Sequence, residues 1–424
     1  MERRTMWHLL RCVCLIATIN AGMSSFAEAQ ERLTWEEIKM RFEANNPTLR
    51  AGQISVEESQ ANEISAHLRP NPSLNILADQ ITPFPGGPSH GPFAYFLPAA
   101  TVNYLHERAH KRELRLESAQ KATGIVASNE TDLERNLVFS LRTAFVSTLQ
   151  AKAVLRVATE NLKYWDDVLR IGHDRFDAGD IAQIDLDRLE LQRVQYESDA
   201  QMAEVNLRTA KLQVLMLLND RTPVDQFEAL GLYEFNDHLP PLDQFRQAAQ
   251  DNRPDLKAAL QGVDKAKSDH QLAVANGSTD PTFGFDVGRN PPIDAYIGAS
   301  VNIPLRIFDR NQGEKLRTQL DIDRNQKLLD GTQAQVFSDV DSAYALVNSN
   351  LILLRPYKAR YLNQATRVRE TVRFSYEHGG ATLLDFLDAQ KEYRDTELNY
   401  LNLIGSYLIG AAQLNLAVGR EVLQ

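Results

Sequence analysis

The chain has 424 residues, 43% hydrophobic and 24% charged, with a formal net charge of −10. That length allows two or three globular domains, and the ordinary composition excludes bulk disorder. The acidic balance argues against nucleic acid, which needs a basic face, and beyond the N-terminus no apolar run approaches the length of a membrane helix.

Residues 1–29 read as a signal peptide. Arg3 and Arg4 precede an apolar run, and Ala27-Glu28-Ala29 is a small-x-small cleavage site that makes Gln30 the mature N-terminus. Both cysteines, Cys12 and Cys14, lie inside this segment. The mature chain is therefore expected to have no disulfide and no thiolate metal site. Arg11 and Val13 precede the cysteines where a lipid-attachment site wants a small residue, so export without an N-terminal lipid is expected.

The rest divides into two structural repeats, 30–219 and 242–424, joined by a linker over 220–241 that contains Pro223, Pro240 and Pro241. Each repeat opens with a short amphipathic helix that meets a proline, Pro47 or Pro254, suited to the first turn of the next helix. Those second helices are expected to end near Leu68 and Ala275.

The period then changes. In the first repeat Leu74 and Ile76 alternate with Ser73 and Asn75, and Ala100, Val102 and Tyr104 with Thr101 and Asn103. This predicts a hairpin over about 72–105, with a long Pro/Gly-rich connection at 82–98 read as an extracellular loop. In the second repeat Phe283, Phe285 and Val287 alternate with glycines and Asp286, and Ala295, Ile297, Ala299 and Val301 with small or polar residues, predicting a hairpin over about 281–304. Such strands fit a transmembrane barrel; a soluble hairpin has the same alternation.

A long helix follows each hairpin. Residues 106–172 contain no proline, which allows a helix on the order of 100 Å long. Leu133, Leu137, Leu141, Ala144 and Thr148, and in the second repeat Val340, Tyr344, Val347, Leu351 and Leu354, step by three or four as in a coiled-coil seam. Pro356 should kink the second helix. Trp165 and Tyr164 are read as packing residues. Each helix ends at a turn, near Gly179 and near Gly379. The segments Arg175-Phe176-Asp177-Ala178-Gly179-Asp180-Ile181-Ala182-Gln183-Ile184-Asp185 and Ser375-Tyr376-Glu377-His378-Gly379-Gly380-Ala381-Thr382-Leu383-Leu384-Asp385 place an aromatic, a glycine and an aspartate in the same register. Glycine ends a helix in the left-handed conformation without a Cβ penalty. Return helices are expected over 181–218 and 383–418.

His106-Glu107-Arg108-Ala109-His110 matches H-E-x-x-H. On a helix it would put two imidazoles one turn apart beside a glutamate, as in zinc peptidases. Its strongly charged surroundings, the lack of a third ligand at a familiar spacing and the lack of ligands at the matching junction, Leu305 to Asp309, argue against a peptidase.

Four strands cannot close a membrane barrel, and an open edge in lipid is not viable. If the strands span a bilayer, several copies must share one barrel. Here the chain resembles the TolC-type outer-membrane efflux family. The duplicated turn, Val301-Asn302-Ile303-Pro304-Leu305-Arg306-Ile307-Phe308-Asp309-Arg310-Asn311-Gln312-Gly313 and Gln413-Leu414-Asn415-Leu416-Ala417-Val418-Gly419 carry the resemblance, and the first of these long segments is similar to the heavy-metal (cobalt–zinc–cadmium) branch. The resemblance implies a mainly α chain with a small membrane β part: long helical hairpins, four strands per chain and a 12-stranded barrel shared by a homotrimer. It implies a passive exit duct in the outer membrane of a Gram-negative-type bacterium, its helices in the periplasm, with no enzymatic activity, cofactor or bound metal. The implied partners are a periplasmic adaptor, an inner-membrane pump of resistance-nodulation-division type and outer-membrane lipid. A drug-efflux or type I secretion duct of the same fold, or a soluble periplasmic coiled-coil adaptor, are the alternatives.

The resemblance also places a channel constriction at Asp385, Asp388 and Asp185, and turn or adaptor contacts at Phe176, Gly179, Tyr376 and Gly379, with Tyr376 matching the tip tyrosine involved in holding the pore closed. Ala381 stands where some relatives have an arginine, and Arg188 is the candidate to replace it. Asp385 and Asp388, one helical step apart, share a face. Repeated around an axis they would form an anionic ring that favours cations, and crowding would raise some of their pKa values.

Overall fold

In a computed structural model of the chain, the described residues are 31–81, 93, 96–290 and 292–423. The expected signal peptide and most of the 82–98 connection lie outside them. In chain order the elements are β1 (Glu31–Leu33), α1 (Trp35–Asn45), α2 (Pro47–His67), β2 (Ser73–Asp79), β3 (Leu97–Leu105), α3 (Lys111–Asp177), α4 (Gln183–Leu217) and β4 (Phe227–Ala229). Then come α5 (Leu242–Asn252), α6 (Pro254–Asn276), β5 (Thr282–Asn290), β6 (Ile293–Asn302), α7 (Gln312–Pro356), a π-helical turn (Tyr357–Tyr361), α8 (Leu362–Glu377) and α9 (Leu383–Val418). The fold is mainly α with a small β part. Helix boundaries fall within two or three residues of those expected, except the start of α3.

The described residues pack as two compact units: those within 31–46, 141–234 and 357–405, and those within 47–140, 235–356 and 406–423. Each unit draws on both sequence repeats.

The second unit holds the antiparallel sheet β2-β3-β5-β6. Val102 pairs with Leu74 on one side and Phe285 on the other, and Val287 pairs with Ala100 and Ile297. Leu74, Ile76, Val102, Phe283, Phe285, Val287, Ile297 and Val301 thus share one face, and all are exposed. The opposite face carries Asn75, Thr101, Asn103, Gly284, Asp286, Gly298 and Ser300. β2 and β6 are the edges, and neither has an outer partner among the described residues. Beside the sheet, α6 packs along α7. Arg253 is buried there, its guanidinium bonded to Asp255 at 2.6 Å and Asp339 at 2.8 Å, since a buried cation must be paired.

The H-E-x-x-H segment lies in this unit and is not helical. His106, Glu107 and Arg108 are irregular, Ala109 and His110 both have φ of +56°, and α3 begins only at Lys111. The one-turn spacing of imidazoles that a zinc peptidase needs is therefore absent. Glu107 pairs with Arg115 instead, and no metal-binding cluster occurs among the described residues.

The first unit contains β1 and β4, which pair in parallel, Leu33 opposite Ala229. Part of the segment read as a linker is therefore structured: a 3-10 turn at Val224–Gln226 leads into β4, whose Phe227 and Ala229 are buried. A three-residue strand is too short to leave a periodic signal. α1 starts with a capping box in which the Thr34 hydroxyl accepts from the Glu37 backbone N–H and Glu37 accepts from the Thr34 N–H at 2.8 Å. Its Ile38 and Phe42 are fully buried. Pro356, where a kink is expected, is the last residue of α7, and a π-helical turn separates it from α8. α9 carries an 18-residue window of mean hydropathy 1.3, 56% buried. It is apolar because it packs among helices, with Leu401 and Ile404 buried in this unit and Tyr407 and Leu414 buried in the second.

Candidate functional site

Both duplicated turns lie in the first unit, and their backbones are alike. At the first, Gly179 has φ +82°, its N–H donates to the Phe176 carbonyl at 2.9 Å, and the Asp180 N–H donates to the Arg175 carbonyl at 2.8 Å. At the second, Gly379 has φ +73°, with Gly379 N–H to Tyr376 carbonyl at 3.2 Å and Gly380 N–H to Ser375 carbonyl at 2.7 Å. These paired bonds define a Schellman ending, which satisfies the last carbonyls of a helix and demands a left-handed residue after it. The matched glycines and aromatics thus have a local reason to recur.

The side chains after the turns differ. Thr382 precedes α9, and its hydroxyl and backbone N–H donate to the Asp385 carboxylate at 2.7 Å and 3.0 Å, while the Asp385 N–H donates back to the hydroxyl at 3.2 Å. These bonds, the Thr382 hydroxyl first and its backbone N–H second, hold the Asp385 carboxyl below the ordinary carboxylate range. Within one chain the shift is therefore opposite to the rise expected from crowding: capping stabilises the charged form. Before α4 the matching residue is Ala182, which makes no side-chain cap. Asp185 instead pairs with Arg188 at 3.6 Å, so this arginine is engaged by the acid of its own turn. Asp388 is exposed, as is Asp385, whereas Asp185 is half-buried.

Beneath the turns is an aromatic stack. Trp165 is fully buried and its indole N–H donates to the Leu189 carbonyl at 3.0 Å. It stacks on Tyr196 at 5.1 Å and on Phe386 at 6.0 Å, and Phe386 stacks on Tyr376 at 4.9 Å with the rings 13° apart. Trp165 is thus a packing residue as expected. Burial raises the Tyr376 hydroxyl above its usual pKa, with Arg175 acting the other way. Tyr164 has a second role: it accepts a 2.8 Å hydrogen bond from Gln390, and the Arg369 and Arg373 guanidiniums lie over its ring at 5.5 and 5.6 Å.

Of the expected residues, Phe176, Gly179, Asp185 and Arg188 gather at the first turn and Tyr376, Gly379, Asp385 and Asp388 at the second. Two features of the turns were not singled out from the sequence. Thr382-x-x-Asp385 is a visible capping pattern. Arg175, which contacts Tyr376, is visible only as a mismatch between the copies, where the second turn has Ser375.

Residues 245–420 match the family model for outer membrane efflux proteins. The chain is similar to the cobalt-zinc-cadmium resistance protein CzcC of Cupriavidus metallidurans, 24% identical over 405 residues that cover 93% of this chain and 91% of that one. It is 20% identical over 429 residues to the outer membrane protein TolC of Escherichia coli, covering 96% of this chain and 85% of TolC. A crystal structure of CusC, described in terms of folding and transmembrane channel formation, aligns with a TM-score of 0.78 at 17% identity, covering 91% of this chain and 92% of that chain.

Proposed function

We propose, from its similarity to the outer membrane efflux proteins, that the chain is a member of that family and the exit duct of a tripartite system exporting heavy-metal cations. It is an outer-membrane channel with a periplasmic helical part. Family members act as trimers with periplasmic adaptors and inner-membrane pumps. The observation that carries the reading for this chain is the four-stranded sheet: one face is apolar and exposed, the other small and polar, and neither edge has an outer partner among the described residues. A membrane excludes open edges because an unsatisfied backbone N–H or C=O in hydrocarbon costs several kcal/mol. Pairing the β6 edge of one copy with the β2 edge of the next, three times over, gives a closed 12-stranded barrel with its apolar face to lipid.

The cargo reading is supported by the similarity to CzcC along nearly the whole chain. Asp385 and Asp388, with Asp185, would form the cation-selective constriction, and the turn residues Phe176, Gly179, Tyr376, Gly379 and Arg188 the contact with the adaptor. The pump is of resistance-nodulation-division type in this reading. The two structural repeats, 30–219 and 242–424, follow one layout in this reading, and the chain acts as a conduit without catalysis, cofactor or resident metal.

Planar-bilayer recording from the detergent-purified trimer tests this. A small, cation-selective conductance is expected, and Asp385→Ala with Asp388→Ala should lower the cation-to-anion permeability ratio by about tenfold or less, the scale of a coupling between fixed charges and a mobile ion in water. An unchanged ratio would remove the aspartates as the filter. A water-soluble monomer without conductance would end the channel reading.

A further inference from the structure

The apolar face of the sheet continues past the end of the sheet. On β6, Ile297 and Val301 lie on the exposed apolar face. Ile303 and Leu305 carry the same alternation two and four residues further on, and Ile303, which precedes Pro304, is biased to extended backbone. Ile303, Leu305, Ile307 and Phe308 are all exposed, Leu305 at 78% and Phe308 at 89%. The segment is nonetheless held. The Ile307 N–H donates to the Leu305 carbonyl at 3.0 Å, the Arg310 N–H donates to the Gln312 side chain at 2.8 Å, and the Asn311 amide donates to the Ala273 carbonyl at 2.7 Å. A fixed loop that turns large apolar side chains outward marks a contact surface. The matching junction of the first repeat, His106 to His110, has no large apolar side chain, and its Glu107 is paired with Arg115.

One cation sits among these side chains. Arg306 is half-buried, its Nε is buried without a hydrogen-bond partner, and its guanidinium has no ion pair among the described residues. A buried donor left unpaired is costly. The acids nearby are engaged: Asp280, which feels the Arg306 charge, takes Lys111 at 2.6 Å and the Arg108 N–H at 2.9 Å, and Asp309 takes the Asn311 N–H at 2.8 Å. Strand direction brings in a second cation. Each neighbouring pair in the order β2-β3-β5-β6 is antiparallel, so β6 runs opposite to β2. Pairing β6 with the β2 of the next copy therefore sets the end of β6 beside the start of β2. There the neighbouring copy presents Leu68 and Arg69, both exposed, and Arg69 has no hydrogen bond or ion pair among the described residues. Two unneutralised guanidiniums repel each other, which disfavours closing this surface with the second copy alone and suits a shared anion.

We infer that the β6–α7 junction binds a phospholipid of the periplasmic leaflet, its phosphate held by Arg306 and by Arg69 of the neighbouring copy, its acyl chains against Leu305, Ile307 and Phe308. This rests on the channel reading above, because the strand ends that meet the helices then stand at the periplasmic surface of the membrane. Guanidiniums take phosphate through paired hydrogen bonds, and apolar side chains beside them reach the acyl boundary. A trimer would carry three such sites, one at each joint between copies.

Two measurements test the inference. Native mass spectrometry of the detergent-purified trimer with added phosphatidylglycerol reads the trimer and its retained lipid together. Arg306→Gln and Arg69→Gln should each lower retention about fivefold, and glycerol phosphate in excess should not displace the lipid. Retention equal to wild type in either variant would overturn the shared phosphate site, and displacement by glycerol phosphate would reduce it to a site for free phosphate. The second measurement places Phe308→Trp in vesicles of brominated phosphatidylcholine. Its added emission should be quenched, while that of Trp35 and Trp165, both buried in the protein, should not. Blue-shifted emission that bromine leaves unquenched would mean that the neighbouring copy covers Phe308, and emission typical of water would mean that nothing does; either overturns the inference. A water-soluble monomer without conductance would defeat the channel reading itself, whereas a conducting trimer that fails these tests defeats only the lipid site.

Discussion

At the first turn the aspartate three residues into the next helix, Asp185, pairs with Arg188 at 3.6 Å; at the second its counterpart, Asp385, is bound by Thr382 at 2.7 and 3.0 Å. The backbones beneath them are the same, with glycine at positive φ and the same pair of closing hydrogen bonds. The difference shows which parts of a duplicated element remain tied together. Chain reversal demands a left-handed residue and an accepting carbonyl, so these are kept in both copies. Side chains that face outward are free to diverge. The first turn now supplies cations, Arg175 and Arg188, and the second supplies an aromatic ring and exposed carboxylates. The copies have become complementary, and Arg175 on Tyr376 is where the two meet.

The largest test of this comparison removes what both turns rest on. Trp165→Ala empties a fully buried site that touches Tyr196 and Phe386 and should cost about 3–5 kcal/mol of stability, read from chemical denaturation. Amide exchange should quicken at both turns. Exchange that rises at only one would show that the stack supports that turn alone.

A smaller effect probes the shared backbone. Nothing lies within 4 Å of a Cβ built on Gly179 or Gly379, so alanine at either position meets no clash and the cost is conformational alone. Gly179→Ala and Gly379→Ala should each destabilise by roughly 1–2 kcal/mol, and by similar amounts. Clearly unequal costs would mean that the turns are alike in geometry and unlike in strain.

The smallest effect separates the aspartates. Asp385 has a lowered pKa in the folded chain. Its capping contribution is therefore complete above the unfolded pKa and is lost as pH falls through the lower, folded value. Thr382→Ala removes the leading cause of the shift, so the pKa should move back up and fraying of the α9 N-terminus should begin at a higher pH. Amide exchange at residues 383–386 across the acid range, corrected for intrinsic rate, measures this. The matching segment before α4, capped by no side chain, should show no such acid-dependent step. An identical profile in wild type and Thr382→Ala would mean that the threonine does not set the Asp385 charge.

Much of the fold was legible because it repeats over short distances. Alternation at Phe283, Phe285 and Val287 foretold one face of a strand, and glycine at 179 and 379 foretold where the long helices reverse. The H-E-x-x-H motif misled as a pattern because a motif states spacing but not conformation: Ala109 and His110 adopt positive φ, and the helix starts at Lys111, only after the motif has ended. β4 went unread because three residues carry no period. The site was half legible. The positions of Asp185, Asp385 and Tyr376 follow from register, that of Asp388 from the family resemblance, and the Thr382 cap from a local pattern, but their partners do not.

The sequence by itself therefore determined the helices, the four strands of the two hairpins, the two reversals and the acids placed beside them, since each depends on backbone conformations and hydrogen bonds spanning only a few residues. Tertiary structure alone decided that β3 would pair with β5 and join the two hairpins into one sheet, that Trp165 would lie under both turns, and that Arg175 would rest on Tyr376. Those contacts join residues far apart in the chain, and their free energy exists only once packing has already brought the segments together.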